Sequence, residues 1–315
     1  MRPLPRKQTV MTERSTFSLQ MLAPRHWPSW IGLGLLRLSV ALPYQVQLRL
    51  GRTLGNLLWR LAGRHRRIVL TNLRLCFPQK SETDCQALAR EHFQALGISL
   101  FEIALSWWAS DARLRPLLST QGYEHIEQAL QTGKGVILLT AHFTTLEISA
   151  RLMSMLRPID VTYRAGDENP IGTHLRGQRD KLYEEAIPKE NVRGVIRRLK
   201  ENKIIWYAPD QSFGGTNRVF ATFFGIPAAS NPATSRFARI SGARVVPFFA
   251  RRRERDYGYE LIFLPALEDF PTADLTADTQ RINHVFEELI ARAPEQYFWV
   301  HKRFKHGPSG QESPY

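Results

Sequence analysis

Residues 135–149 read Gly-Val-Ile-Leu-Leu-Thr-Ala-His-Phe-Thr-Thr-Leu-Glu-Ile-Ser, which sets His142 behind an apolar run and Glu147 five positions later. A neutral imidazole can take a proton, while a carboxylate beside it fixes the ring tautomer and stabilises the cation. That is general base catalysis with an orienting acid, which contributes roughly 10²–10⁴ in rate. Five residues separate side chains by about 140° on a continuous helix, so the two meet only if the histidine precedes the helix. With Thr144 as N-cap, Glu147 becomes the N3 residue of a Thr-x-x-Glu capping box, and its carboxylate reaches back toward the loop carrying His142. A non-catalytic role has the same geometry: Glu147 satisfies a backbone N–H and His142 is a polar residue at a strand end. The chain lacks G-x-S-x-G, so no serine nucleophile elbow of that kind is present. A base without a protein nucleophile suits direct attack by a substrate hydroxyl on an already activated acyl group. A following helix N-terminus would offer amide donors to the oxyanion.

The elements that must position these groups alternate. Strand-like runs at 135–141, 159–163 and 203–209 are separated by helical periodicity over 145–157, about 173–186 and 191–202. A helix over 232–241 ends near Gly242. The run at 244–252 is the next strand, and 259–267 pairs with it across a polar turn containing Gly258. Upstream, Ser81 and Asp84 have capping-box spacing and open a helix to Trp107 and Trp108, and a short helix at 123–131 ends near Gly133. Residues 275–292 form the last long helix. Alternation of this kind predicts an α/β fold with a mostly parallel sheet flanked by helices, in which ligands sit beyond the carboxyl ends of the strands. His142 follows one strand directly. Asp210 follows another and is a second site candidate, although a loop cap is its simpler role. Loop 210–230, with Gly214-Gly215 and paired aromatics, is expected to form a substrate wall.

A chain of 315 residues suits one large domain with a small appendage. Its two cysteines, Cys76 and Cys85, make neither a disulfide framework nor a zinc spacing, which points to a reducing compartment and no metal. Lys and Arg number 43 against 29 acidic residues, a formal charge of +14, so an anionic partner is expected: nucleic acid, an anionic membrane surface or an acidic protein. Placement separates these classes. Residues 27–44 are mostly apolar and follow a basic leader of Arg2, Arg6, Lys7, Arg14 and Arg25. The run is barely long enough to span a bilayer, and Arg37 interrupts it. On a helical wheel Arg49, Arg52, Arg60, Arg64, Arg66 and Arg67 share one face, with Leu50, Leu54, Leu57, Leu58 and Leu61 on another. A basic amphipathic helix beside an apolar anchor suits a membrane interface. The expected division is an anchor with amphipathic helix over 1–67 and an α/β domain over 68–315. Nucleic acid is not an expected partner, because no zinc-ligand spacing or RNA-recognition motif accompanies the charge. Two further basic clusters, Arg251–Arg253 with Arg255 and His-Lys-Arg-Phe-Lys-His at 301–306, are solvated surface or docking sites for an acidic partner.

A strand followed by His-(x)4-Glu resembles the His-(x)4-Asp/Glu motif of membrane glycerolipid acyltransferases. More fully, the chain resembles the lauroyl/myristoyl family of lipid A biosynthesis acyltransferases of Gram-negative bacteria. The resemblance is carried by TNLRLCFP at 71–78, LLTAHFTTLE at 138–147, VTYR at 161–164, NVRGVIRRLKENKIIWYAPDQSFG at 191–214, FFGIPAA at 223–229 and PEQYFWVHKRFK at 294–305. It implies a glycerol-3-phosphate acyltransferase-like fold with N-terminal membrane-associated helices. It also implies transfer of a fatty acyl chain, laurate above all, from the phosphopantetheine of acyl carrier protein, with no other cofactor. The acceptor would be the hydroxyl of a 3-hydroxyacyl chain on a lipid A precursor such as Kdo(2)-lipid IV(A). The implied site is His142 as base with Glu147 as its partner, and Arg164 and Asp210 as substrate-binding residues. The family commonly has proline after the arginine, whereas Ala165-Gly166 follow Arg164 here. The implied location is the inner (cytoplasmic) membrane with the catalytic domain on the cytoplasmic side.

Overall fold

Four consecutive buried residues, Val136–Leu139, make β2 the centre of the sheet in the computed structural model of the chain. A strand buried on both faces reads as an unbroken apolar run, and side chains alternate between the faces. Ile137 and Leu139 join one buried cluster and Val136 and Leu138 the other. The structure describes residues 19–164, 169–253, 257–308 and 312–315. Arg2, Arg6, Lys7, Arg14, Ala165, Gly166 and Arg255, singled out above, lie outside the described residues.

Among the described residues the chain opens with α1 (Trp27–Ser39), α2 (Tyr44–Leu61), α3 (Gly63–Cys76) and α4 (Glu82–Trp108). After a short α5 (Asp111–Leu114) come β1 (Leu118–Gln121), α6 (Glu124–Gln131), β2, α7 (Leu146–Leu156) and β3 (Asp160–Tyr163). Then follow α8 (Pro170–Leu182), β4 (Glu185–Pro188), α9 (Val192–Lys200) and β5 (Ile204–Tyr207). The remainder comprises β6 (Val219–Phe223), β7 (Ile226–Ser230), α10 (Ala233–Ser241), β8 (Arg244–Arg253), β9 (Gly258–Phe263) and α11 (Leu275–Arg292). The seven-stranded sheet has the order β1-β9-β8-β2-β5-β3-β4. Strands β8, β2, β5, β3 and β4 run parallel, and β9 turns back antiparallel on β8 with Phe248 opposite Phe263. The α/β architecture expected from the alternation is therefore the observed one.

Three strand elements escaped the sequence: β1, β4 and the β6–β7 hairpin. The first two are four-residue edge strands, partly exposed and without alternation, so pairing rather than pattern defines them. The hairpin lies inside the segment expected to be an irregular loop. Its backbone is held by α11, whose Gln280 accepts from Thr222 N–H at 2.7 Å and whose Glu287 accepts from Phe224 N–H at 2.7 Å.

The helices follow their local signals closely. Ser81 Oγ accepts from Asp84 N–H at 3.1 Å and Asp84 Oδ2 accepts from Ser81 N–H at 3.3 Å, so the expected capping box opens α4. Gly135 stands before β2 at φ +74°, where a Cβ would meet Leu199 O of α9 at 2.3 Å, so glycine alone fits there.

The N-terminal expectation needs two corrections. The wheel placed Arg49 to Arg67 on one continuous helix, but the chain leaves helical geometry at Ala62 (φ −91°, ψ 57°), which separates α2 from α3. The division at 67/68 falls inside α3, and α2 packs on α4 backbone to backbone. A Cβ at Gly97 would lie 2.1 Å from Gly51 O and 2.5 Å from Gly55 N. Overpacking of such a contact costs about 1–3 kcal/mol, so these glycines are what lets the two helices touch. The outward faces stay apolar: Trp27, Ile31, Leu35 and Leu38 on α1, and Leu50, Leu57 and Leu61 on α2, are exposed. Their spacings place each set along one helical stripe. Among the described residues no helix is long and apolar enough to cross a membrane.

The Arg251–Arg253 cluster is also not a solvated patch. Arg252 is buried and donates to Glu102 Oε1 at 2.9 Å, which also accepts from the Tyr259 hydroxyl at 2.9 Å; Arg251 pairs with Glu260 at 2.7 Å. A buried guanidinium on an interior strand requires such a partner, because an unpaired buried charge costs several kcal/mol.

Candidate active site

Parallel pairing places the two site candidates that stand at strand ends side by side. Leu139 of β2 is opposite Tyr207 of β5, and His142 and Asp210 each lie three residues beyond that pair. The Asp210 carboxylate is 1 % exposed and receives three donors. His142 Nδ1–H donates to Oδ1 at 2.6 Å, His142 backbone N–H to Oδ2 at 3.1 Å, and the Tyr297 hydroxyl to Oδ2 at 3.0 Å. An ionised carboxylate only accepts, so Nδ1 carries the proton and Nε2 keeps its lone pair. The side chain is 28 % exposed and lines a cleft, and with Nδ1 turned to Asp210 the opposite, Nε2 edge of the ring is the one left to that cleft.

Electrostatics favour this ionic state. Burial pulls the His142 imidazolium down, but the Asp210 charge and hydrogen bond outweigh it and hold the group above its ordinary value of 6.5. Burial pushes Asp210 up, but His142 and the Tyr297 hydroxyl bring it below the usual carboxylate range.

The expected partnership of Glu147 with His142 is corrected by this geometry. Helix α7 begins one residue later than the capping box requires, with Thr145 at the N-cap and no side-chain cap bond, and Thr144 Oγ1 has no hydrogen-bond partner. Glu147 instead accepts from Arg179 Nη2 of α8 at 3.1 Å, and that guanidinium lies 5.6 Å from the Tyr163 ring. Glu147 still belongs to the site, because it lines the same cleft as His142. That cleft, about 160 Å³, is also lined by Arg164 and Arg179 and by the apolar or aromatic Leu146, Val161, Tyr163 and Trp206. Arg164, at the carboxyl end of β3, is exposed there, so the two expected binding groups differ: Arg164 lines the cleft with His142, and Asp210 is buried against the ring. The 210–230 segment does not line this cleft, whose last lining residue in chain order is Ala208, just beyond β5.

The C-terminal segment contributes what the sequence did not reveal. Residues 296–298 lie alongside 142–144: Thr144 N–H donates to Gln296 O at 2.7 Å, and Phe298 N–H donates to His142 O at 2.9 Å. The 301–306 cluster is correspondingly not a uniformly solvated patch. Arg303 is buried, donating to Ala229 O at 2.9 Å and to Ser230 Oγ at 2.7 Å, and His301 Nε2 accepts from Ser212 N–H at 3.0 Å. Burial pulls His301 down to about 4, so it stays neutral as that acceptor role requires. Among the described residues no group of three or more His, Cys, Asp or Glu side chains is arranged to hold a metal ion.

The chain is similar to known proteins over almost all its length. Residues 14–306 match the family described as bacterial lipid A biosynthesis acyltransferase. It is 38 % identical over 306 residues to the lipid A biosynthesis lauroyltransferase of Escherichia coli (strain K12), covering 97 % of this chain and 100 % of that one. Identity to the lipid A biosynthesis palmitoleoyltransferase of the same organism is 34 %, with the same coverage. Identity to its lipid A biosynthesis myristoyltransferase is 26 %, over 93 % of this chain and 91 % of that one. In solved structures, the 1-acyl-sn-glycerophosphate acyltransferase PlsC of Thermotoga maritima overlays with a TM-score of 0.38 at 12 % identity, covering 80 % of this chain and 97 % of that one.

The pair has a signature in stability. The raised His142 value contributes stability that is full below the ordinary histidine range and fades as pH rises through the folded value. The lowered Asp210 value contributes stability that is full above the ordinary carboxylate range and fades as pH falls through its folded value. Asp210→Asn is therefore expected to destabilise by on the order of 2–3 kcal/mol between those limits, with the gap narrowing on both sides. Urea unfolding of both proteins across pH checks this, and a gap that does not change with pH would show that no ion pair forms.

Proposed function

The chain belongs to the bacterial lipid A biosynthesis acyltransferase family, and from that premise we propose that it transfers laurate from acyl carrier protein to a hydroxyl of a lipid A precursor with His142 as general base. The family makes the chain an O-acyltransferase acting on a lipid A precursor. Support for laurate is the greater identity to the lauroyl enzyme than to the palmitoleoyl or myristoyl enzymes. The observation that carries the mechanism is the buried Asp210 carboxylate bound to His142 Nδ1–H, which leaves Nε2 as the free basic atom at the cleft.

In the proposed step the acceptor hydroxyl gives its proton to His142 Nε2 as its oxygen attacks the thioester carbonyl carbon. Asp210 stabilises the imidazolium so formed. The C–S bond then breaks, and the phosphopantetheine thiolate leaves with the proton returned from Nε2. The N-terminal end of α7 begins at Leu146, four residues after His142, and its dipole favours the negative carbonyl oxygen of the intermediate. Thr144 N–H and Leu146 N–H are already spent on Gln296 O and Phe143 O, so neither is an oxyanion donor without rearrangement. No protein nucleophile and no further cofactor are needed. Arg164 is suited to an acceptor phosphate, because a guanidinium binds one bidentately and this one stands exposed on the rim of the cleft.

The enzyme works, in this proposal, on the cytoplasmic face of the inner membrane. Contact with an anionic membrane surface is supported by the apolar stripe of α1 and α2 beside exposed Arg25, Arg37, Arg49, Arg60 and Arg64. Burying each large apolar side chain is worth about 1.5–3 kcal/mol, and arginines at the rim add attraction to anionic headgroups.

Incubating the protein with a lipid A precursor and a series of acyl carrier protein thioesters, then weighing the product, is expected to show a gain of one lauroyl group. His142→Ala should lower the rate by about 10²–10⁴ while the protein stays folded. Wild-type rates in that variant would remove histidine from the mechanism, and preference for another thioester would replace laurate. Flotation with anionic vesicles should recover the wild-type protein and lose the double variant Ile31→Asp/Leu35→Asp; equal recovery of both would place the membrane contact elsewhere.

A further inference from the structure

The site described so far gives Tyr297 a hydrogen bond to Asp210 but no part in the chemistry. Its ring is buried among aromatics, at 4.8 Å from Trp299 and 5.8 Å from Phe143, yet its hydroxyl is aimed at Asp210 Oδ2. Packing alone would be served by phenylalanine. A buried hydroxyl requires a partner, and this one uses the same oxygen that the His142 backbone N–H binds. The two donors converge on Oδ2 and leave Oδ1 to the imidazole. The segment carrying Tyr297 also holds the other side of the histidine loop through Phe298 N–H and His142 O at 2.9 Å. One stretch of chain thus grips both members of the pair.

We infer that Tyr297 is a positioning residue for acyl transfer: its hydroxyl locks the Asp210 carboxylate in the rotamer that keeps His142 Nε2 directed into the cleft. This rests on His142 being the base. The hydroxyl also draws charge from the carboxylate, so it sets how strongly Asp210 stabilises the imidazolium. Removing it leaves a more basic carboxylate, a more stable imidazolium and a base that frees its lone pair only at higher pH.

The surroundings make that shift readable. From the C-terminal segment His301 and Arg303 face the pair, and from α3 Cys76 faces Tyr297. Burial keeps His301 neutral near pH 7 and pushes the Cys76 thiol far up, and Arg303 stays cationic. On the cleft side stand Arg164 and the Glu147–Arg179 ion pair. The Asp210 charge and hydrogen bond hold His142 above its ordinary value of 6.5, and the acid limb of the pH–rate profile is expected to report it.

The test compares wild type, Tyr297→Phe, His142→Ala and a protein with 3-fluorotyrosine installed at 297, using purified full-length enzyme with lauroyl-acyl carrier protein and a lipid A precursor. Tyr297→Phe should keep KM within twofold, lower kcat about tenfold and move the acid limb of kcat/KM to higher pH. Fluorotyrosine, a stronger donor of nearly the same shape, should move that limb to lower pH, and it serves if the phenylalanine variant does not fold. If His142→Ala is inactive while both Tyr297 variants show the wild-type kcat and an unmoved acid limb, Tyr297 is packing only and the inference is wrong. If His142→Ala keeps wild-type activity, the base assignment fails first and takes this inference with it.

Discussion

A buried carboxylate that must stay ionised is the constraint on which the rest of this structure depends. Asp210 sits under the sheet's carboxyl edge at 1 % exposure, where an unpaired charge would neutralise itself by taking a proton. It remains an anion because three donors from two distant parts of the chain converge on it. Parallel pairing of β2 with β5 brings His142 to it, and the C-terminal segment brings Tyr297. The same contacts that keep the charge ionised also choose the histidine tautomer, so stability and chemistry share one set of bonds.

The scaffold around that point was legible to different depths. The unbroken apolar run of β2, the Ser81–Asp84 cap and the strand–helix alternation are local signals, and the fold class follows from them. The histidine was visible for the same reason. Asp210 was visible as a strand-end candidate but its pairing with His142 was not, since a capping-box argument sees only residues three or four positions away, and Asp210 is 68 positions from His142. Strand order, which no local pattern encodes, decides that β5 rather than the start of α7 faces the imidazole. The misplacement of Glu147 was correspondingly small: it lines the same cleft but answers Arg179.

Charge clusters misled for a related reason. Runs of arginine and lysine read as solvated because isolated charges are, yet Arg252 and Arg303 are interior. Each is tied down by a partner far along the chain, Glu102 in one case and the hairpin oxygens of Ala229 and Ser230 in the other. The exposed arginines that remain beside the apolar stripe of α1 and α2 therefore stand out more clearly. Helix α4 connects the two regions: it seats α2 through Gly97 and enters both buried clusters that sandwich β2. The exposed apolar stripe and the site around a buried anion thus share one supporting helix.

The central claim is that Asp210 holds His142 as an Nδ1–H tautomer with a free, unusually basic Nε2. Nitrogen-15 NMR of the ring in histidine-labelled protein, assigned by comparison with His142→Ala and followed across pH, reads both properties at once. The account predicts a protonated Nδ1 throughout, an unprotonated Nε2 at alkaline pH, and a midpoint above the ordinary histidine value of 6.5. A midpoint at or below that value, or a neutral ring protonated at Nε2, would contradict it.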